Sequence, residues 1–154
     1  MAGKSATYII ALQKLIFQND ATASPITALG TGLSAAGTAG SLYVTLHTAD
    51  PTSGTAATSE VSYTGYSGAV RPAVARSTSG FAVNGTTGAV TPVATISFPA
   101  CTGGTATATY FSITTNQTVG NTSPILYAGT VTPNISISSG VTPQLTTSSS
   151  ITEA

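Results

Sequence analysis

Few residues in this 154-residue chain have side chains suited to catalysis or metal binding. One histidine, His47, and one cysteine, Cys101, are the candidates for a base and a thiol nucleophile. Such a pair needs hydrogen-bond contact and normally a third group that orients the base. The two lie in separate predicted elements, so Cys101 reads as a small buried hydrophobe beside a turn. His47 reads as a surface or interface side chain. Among the carboxylates, Asp50 and Glu60 bracket one loop, while Asp20 and Glu153 lie toward the termini. A glycosidase needs two carboxyl groups roughly 5 to 10 Å apart across a sugar. Asp50 instead precedes Pro51 and reads as a turn residue whose side chain bonds its own backbone. No metal-ligand spacing joins His47, Cys101 and these acids.

Other motifs are weaker. Thr102-Gly103-Gly104 lacks the lysine and following helix of a phosphate loop. Asn-X-Ser/Thr triplets begin at Asn84, Asn116, Asn121 and Asn134, as a Ser/Thr-rich composition produces by chance. Tyr63 and Tyr66 are open to two readings, a ligand platform or aromatics filling a core or interface. The sequence therefore predicts a protein that is not an enzyme, with no catalytic residues, no cofactor and no metal.

Charge narrows the function classes further. Lys4, Lys14, Arg71 and Arg76 oppose Asp20, Asp50, Glu60 and Glu153, so 5% of residues are charged and the net charge is zero. About 25% charged is usual, and a soluble monomer normally carries a net charge that keeps copies apart. Either hydroxyls and amides solvate this surface, or much of it packs against other subunits; the charge rules favour assembly. Four dispersed cations make no phosphate-binding stripe, which excludes nucleic acid as a partner. The apolar run Tyr8 to Leu12 falls far short of the roughly 20 residues that span a bilayer. Polar Gln13 and Lys14 interrupt it, so it does not read as a secretory signal either. A single cysteine allows no disulfide within the chain.

Two regions position these residues. Residues 1–41 form an N-terminal helix and an Ala/Gly/Thr-rich arm. Ser5 is a suitable N-cap, Tyr8, Leu12 and Leu15 recur at helical spacing beside Ile9 and Ile16, and Asn19-Asp20 marks an exit. Residues 20–41, with Pro25, Gly30, Gly32, Gly37 and Gly40, hold no regular element and read equally as an ordered arm or a flexible tether. Residues 42–154 switch to period two. Leu42, Val44 and Leu46 alternate with Tyr43, Thr45 and His47 as in a half-buried strand. Further strands are expected at 61–66, 69–76, 81–84, 90–98, 105–115, 125–132 and 135–139, with a last short one near 145–147. Turn signals every 8 to 12 residues argue for an all-β antiparallel sandwich or jelly-roll-like domain.

The run Leu42-Tyr43-Val44-Thr45-Leu46-His47-Thr48-Ala49-Asp50-Pro51 resembles a segment of small tailed-bacteriophage virion structural proteins, of the capsid decoration (cement) or tail-fibre-like kind. Ser59 to Tyr66 (SEVSYTGY), Arg71 to Arg76, Ala94 to Gly104, Ile125 to Pro143 and Ile151 to Glu153 follow in the order of that pattern, behind an N-terminal helix. The long stretch 20–41 departs from it. The resemblance implies a virion location, with assembly in the bacterial host cytoplasm. It also implies a multi-copy capsid decoration protein that binds the major capsid protein and copies of itself, stabilising the shell. The alternative is a tail fibre, collar or baseplate component that contacts the host surface. Either role rests on interfaces, for which Tyr8, Leu12, Leu15 and Ile16 of the helix, and Arg71 and Arg76 pairing across subunits, are the candidates.

Overall fold

The computed structural model describes residues 4–22, 26 and 35–153. Half of the stretch expected as an arm or tether, Pro25, Gly30 and Gly32 included, lies outside the described residues. The protein is all-β with one short N-terminal helix: α1 (Ala6–Gln18), β1 (Ser41–His47), β2 (Ala73–Ala75), β3 (Phe81–Val83), β4 (Val90–Pro92), β5 (Ile96–Ser97), β6 (Ala106–Thr114), β7 (Ile125–Ile137) and β8 (Gln144–Leu145). The chain divides into two compact units. One gathers Met1–Ser41, Ala75–Thr95 and Thr146–Ala154, and the other Leu42–Val74 and Ile96–Leu145.

The first unit sets α1 against the hairpin β3–β4. Ser5 Oγ accepts from the Tyr8 N–H at 3.3 Å, satisfying a first-turn donor. At the other end Asn19 takes the left-handed conformation (φ 54°) that asparagine tolerates, and the Asp20 N–H reaches back to the Lys14 carbonyl. The face turned inward is not the one suggested by the spacing of Tyr8, Leu12 and Leu15. Ile9, Ala11, Gln13 and Phe17 are buried, whereas Tyr8, Leu12, Leu15 and Ile16 are half-buried. Phe17 meets Phe81 edge-on with ring centroids 5.0 Å apart. Ile9 lies over Gly88, where an added Cβ would come within 2.7 Å of its Cγ2. Gln13 is drawn in by Glu153, whose Oε2 accepts from its Nε2 at 2.8 Å, while Lys4 pairs with Oε1 of the same carboxylate. The hairpin turn is local chemistry: Asn84 Oδ1 accepts from the N–H groups of Thr86 and Thr87, each at 2.9 Å.

The second unit is built on a four-stranded sheet in the order β2-β1-β6-β7, with β5 and β8 as a separate antiparallel pair. β6 runs antiparallel to both β1 and β7, with Val44 opposite Ile113 and Phe111 opposite Gly129. As a central strand, β1 is buried from Val44 to His47 on both faces. This differs from the half-buried strand its alternation predicts, and both Thr45 and His47 are inside. The stretch 61–70, expected to be mostly strand, is instead a series of turns: Gly65 and Gly68 adopt φ +107° and +80°, and the N–H groups of Tyr66 and Ser67 both bond the Tyr63 carbonyl. Those turns fold Tyr63 and Tyr66 inward, stacked at 5.4 Å, beside Phe98. The segments at 125–132 and 135–139, read as a pair around Pro133, form one continuous strand whose two halves both pair with β6. Pro133 is tolerated because β7 is an edge strand and residues 131–134 make no ladder pairs.

Candidate functional site

Arg71, expected to meet a partner outside the chain, meets Glu60 within it instead. Arg71 is fully buried and Glu60 nearly so. Arg71 Nε donates to Glu60 Oε1 at 3.0 Å and Nη2 to Oε2 at 2.8 Å, a two-point guanidinium–carboxylate pair. The Tyr66 hydroxyl donates to Oε1 and the Gly120 N–H to Oε2, each at 2.8 Å. Four donors thus occupy the four acceptor positions a carboxylate offers. Two further guanidinium N–H groups donate to the Asn116 carbonyl (3.1 Å) and the Asn121 carbonyl (3.2 Å). The cluster joins the end of the 48–60 loop to the 61–71 turns and the 116–121 loop. Burial, and then the Glu60 charge, push the Tyr66 phenol far above its ordinary range. Burial pushes Tyr63, which donates to the Pro99 carbonyl, up to about 12.

Arg71 was the first cation expected to pair across subunits, and its guanidinium is instead sealed within the chain. Arg76 is likewise occupied inside the first unit. Its Nε donates to the Ile16 carbonyl at 2.8 Å, Nη2 to the Leu15 carbonyl at 2.9 Å and Nη1 to the Ala39 carbonyl at 3.1 Å. It caps carbonyls that the last helical turn leaves without partners, where a cation also suits the helix dipole. Arg71 is buried and Arg76 half-buried; a guanidinium drawn out of water needs a carboxylate or several carbonyls, and each finds one such set.

His47 is buried, not at the surface as its place in the alternation suggests. A carbonyl only accepts, so Nδ1–H donates to the Thr58 carbonyl at 2.8 Å and Nε2 accepts from Ser112 Oγ at 2.8 Å. Burial holds the imidazole pKa below its usual value. Serine, imidazole and an orienting carbonyl are the parts of an activated nucleophile. Here both His47 and Ser112 are fully buried within the sheet, so the geometry serves to pin the 48–60 loop to β1 and β6. Cys101, also buried, donates to the Gly103 carbonyl at 3.3 Å, beside a turn as its sequence context suggests. Asp50 Oδ1 accepts from the Thr52 N–H at 2.9 Å, the local turn bond expected of it, and that bond lowers its pKa. Among the described residues no three His, Cys, Asp or Glu side chains converge on a metal-sized site, and no described helix is long and apolar enough to cross a membrane.

From β3 onward the surface is uncharged up to Thr152. From Ser77 to Thr152 the sequence contains no Asp, Glu, Lys, Arg or His, so β3 to β8 and every loop between them present hydroxyls, amides and apolar groups. Tyr8, Leu12, Leu15 and Ile16 add a half-exposed apolar stripe on α1. The larger exposed apolar side chains are Val70, Val93 and Leu126.

A family model described as Podophage GP4 fiber I protein gp80 matches residues 28–152, a span that takes in all eight strands and leaves out α1. No curated protein matches the chain. Because the match covers most of the sequence and the whole strand framework, this chain belongs to the Podophage GP4 fiber I protein gp80 family and is a tailed-phage virion structural protein of fibre type.

Proposed function

We propose that this protein is a building block of a phage tail fibre, present in several copies, which acts by holding shape and offering neutral contact surfaces and catalyses no reaction. The observation that carries this reading is the family match over residues 28–152. The internal chemistry supports it. The groups capable of acid–base work, His47, Glu60 and Cys101, are spent on hydrogen bonds that fix loops. The charge-free stretch 77–152 leaves hydroxyls and amides outward, which suit contacts with copies of the same chain and with the glycans of a host surface. Nucleic acid and membrane have no counterpart in such a surface, and no cofactor is required.

A capsid decoration role, with the major capsid protein as partner, shares the small size and low charge but not the family description. Copy number separates the two. Quantitative mass spectrometry of purified particles, against the major shell protein, should give a few copies to tens per particle. A ratio near one chain per shell subunit would overturn the fibre assignment and restore decoration.

A further inference from the structure

The tip of the β3–β4 hairpin reads Asn84-Gly85-Thr86-Thr87-Gly88, and both Asn84 and Gly85 are exposed. The Asn84 side-chain oxygen, Oδ1, accepts from the Thr86 and Thr87 N–H groups, each at 2.9 Å. The backbone of Asn84 is held as well. Its N–H donates to the Ala89 carbonyl at 2.8 Å, and its carbonyl accepts from the Gly88 N–H at 2.9 Å. Between these bonded groups sits the Gly85 N–H, which no described residue accepts. The turn thus sets the two partners of one reaction side by side. Two donors draw electron density from the Asn84 amide, and they stand where negative charge develops when its Cγ is attacked. The adjoining Gly85 nitrogen, exposed and without an acceptor, is open to losing its proton to solvent. Glycine also has no Cβ to crowd a ring that closes there.

We infer that Asn84-Gly85 is a self-modification site, where the asparagine amide becomes a carboxylate through a cyclic imide. The Gly85 nitrogen gives its proton to hydroxide and bonds to Asn84 Cγ, while Nδ2 takes a proton from water and leaves as ammonia. Water then opens the imide. Breaking the bond from nitrogen to Cγ gives aspartate with the backbone intact. Breaking the bond from nitrogen to the main-chain carbonyl carbon gives isoaspartate, whose backbone runs through Cγ. Water is the only co-reactant. Either product puts a negative charge into the stretch 77–152, which has none, and gives a chain of zero net charge one net negative charge. Copies that carry it repel one another where unmodified copies do not. The two products differ in what they do to the fold. Aspartate keeps an oxygen for the Thr86 and Thr87 N–H groups. Isoaspartate displaces the carbonyl that holds Gly88, and Ile9 of α1 rests on Gly88, so this product loosens the seat of the helix.

The inference does not depend on where in the particle the protein sits. The test holds the folded, full-length protein in mildly alkaline buffer for days and follows each asparagine by peptide mass mapping, with isoaspartyl methyltransferase labelling. Asn116 is the internal reference: its Oδ1 also accepts a turn N–H, from Thr118 at 2.9 Å, but Gln117 follows it. Asn84 is expected to convert at least about tenfold faster than Asn116, because only its neighbour lacks a side chain. Nothing lies within 4 Å of a Cβ added at Gly85, so Gly85→Ala should keep the melting temperature. It should slow conversion at Asn84 at least about tenfold, through the crowding methyl. The isoaspartyl fraction, separated by anion exchange, should show faster hydrogen exchange in α1, and Asn84→Asp should match unmodified protein. Conversion at Asn84 no faster than at Asn116, conversion confined to the urea-unfolded chain, or wild-type rates in Gly85→Ala would overturn the site. Unchanged exchange of α1 in the isoaspartyl fraction would overturn its effect on the helix.

Discussion

Replacing Arg71 by Met tests whether the buried charge cluster is what holds the loops of the second unit together. Methionine keeps the length and apolar stem of the side chain but deletes four charge-assisted hydrogen bonds: two to Glu60 and one each to the Asn116 and Asn121 carbonyls. Glu60 keeps only the Tyr66 hydroxyl and the Gly120 N–H, and its carboxylate stays about 5% exposed. Breaking a buried ion pair from one side strands the other charge, which costs about 3 to 5 kcal/mol. For a chain of this size each kcal/mol lowers the melting temperature by roughly 2 to 4 °C, so Arg71→Met should melt about 6 to 20 °C lower. Urea unfolding followed by tyrosine fluorescence and far-UV circular dichroism gives the free energy directly. Glu60→Gln should cost a similar amount by stranding the guanidinium. The double variant should be destabilised by less than the sum of the two, with a coupling of at least about 1.5 kcal/mol. Additive single effects, or a loss for Arg71→Met below about 1 kcal/mol, the scale of an exposed pair, would refute the reasoning.

Three further perturbations follow from the same geometry. His47 titrates below 6.5 in the folded protein, so the unfolded chain binds its proton first as pH falls; stability should hold above about pH 6.5 and then decline by up to about 1.4 kcal/mol per pH unit. His47→Gln should remove that decline between pH 7 and 5 in urea titrations, and an unchanged slope would contradict the assignment. The lowered pKa values of Asp20 and Asp50 act only below their ordinary 3.8, outside this window. At Gly65, φ is +107° and a Cβ would lie 2.2 Å from the Ala100 carbonyl oxygen, a backbone atom. Gly65→Ala should therefore cost about 2 to 4 kcal/mol by thermal melt, from backbone strain and overpacking together. Arg76→Ala should strip the cap from Leu15 and Ile16 and cost about 1 to 2 kcal/mol, seen as faster hydrogen exchange in α1 with β6 unaffected.

Features written in short-range chemistry were legible in the sequence. Ser5 caps α1, Asn19 ends it and Asp50 folds onto Thr52, each through bonds spanning a few residues. The all-β class followed from period-two alternation and turn spacing. Misreadings arose where distant segments decide. His47 alternates as an outward residue, but β1 is central in its sheet and both of its faces are covered. The inward face of α1 is set by Glu153, from the far end of the chain, and by Gly88, neither of which helical spacing can register. Arg71 and Glu60 come from irregular segments eleven residues apart, with no periodicity to pair them. The one available signal was scarcity: in a chain with eight charges, a buried one must find its partner among very few. Pro133 suggested a break where an edge strand simply continues.

Location in the particle bears most directly on the fibre assignment. Antibodies raised against the purified protein, visualised with gold on intact particles by electron microscopy, should decorate the tail fibres and leave the shell bare. Gold spread evenly over the shell, with unlabelled fibres, would contradict the fibre assignment and return the protein to the head surface.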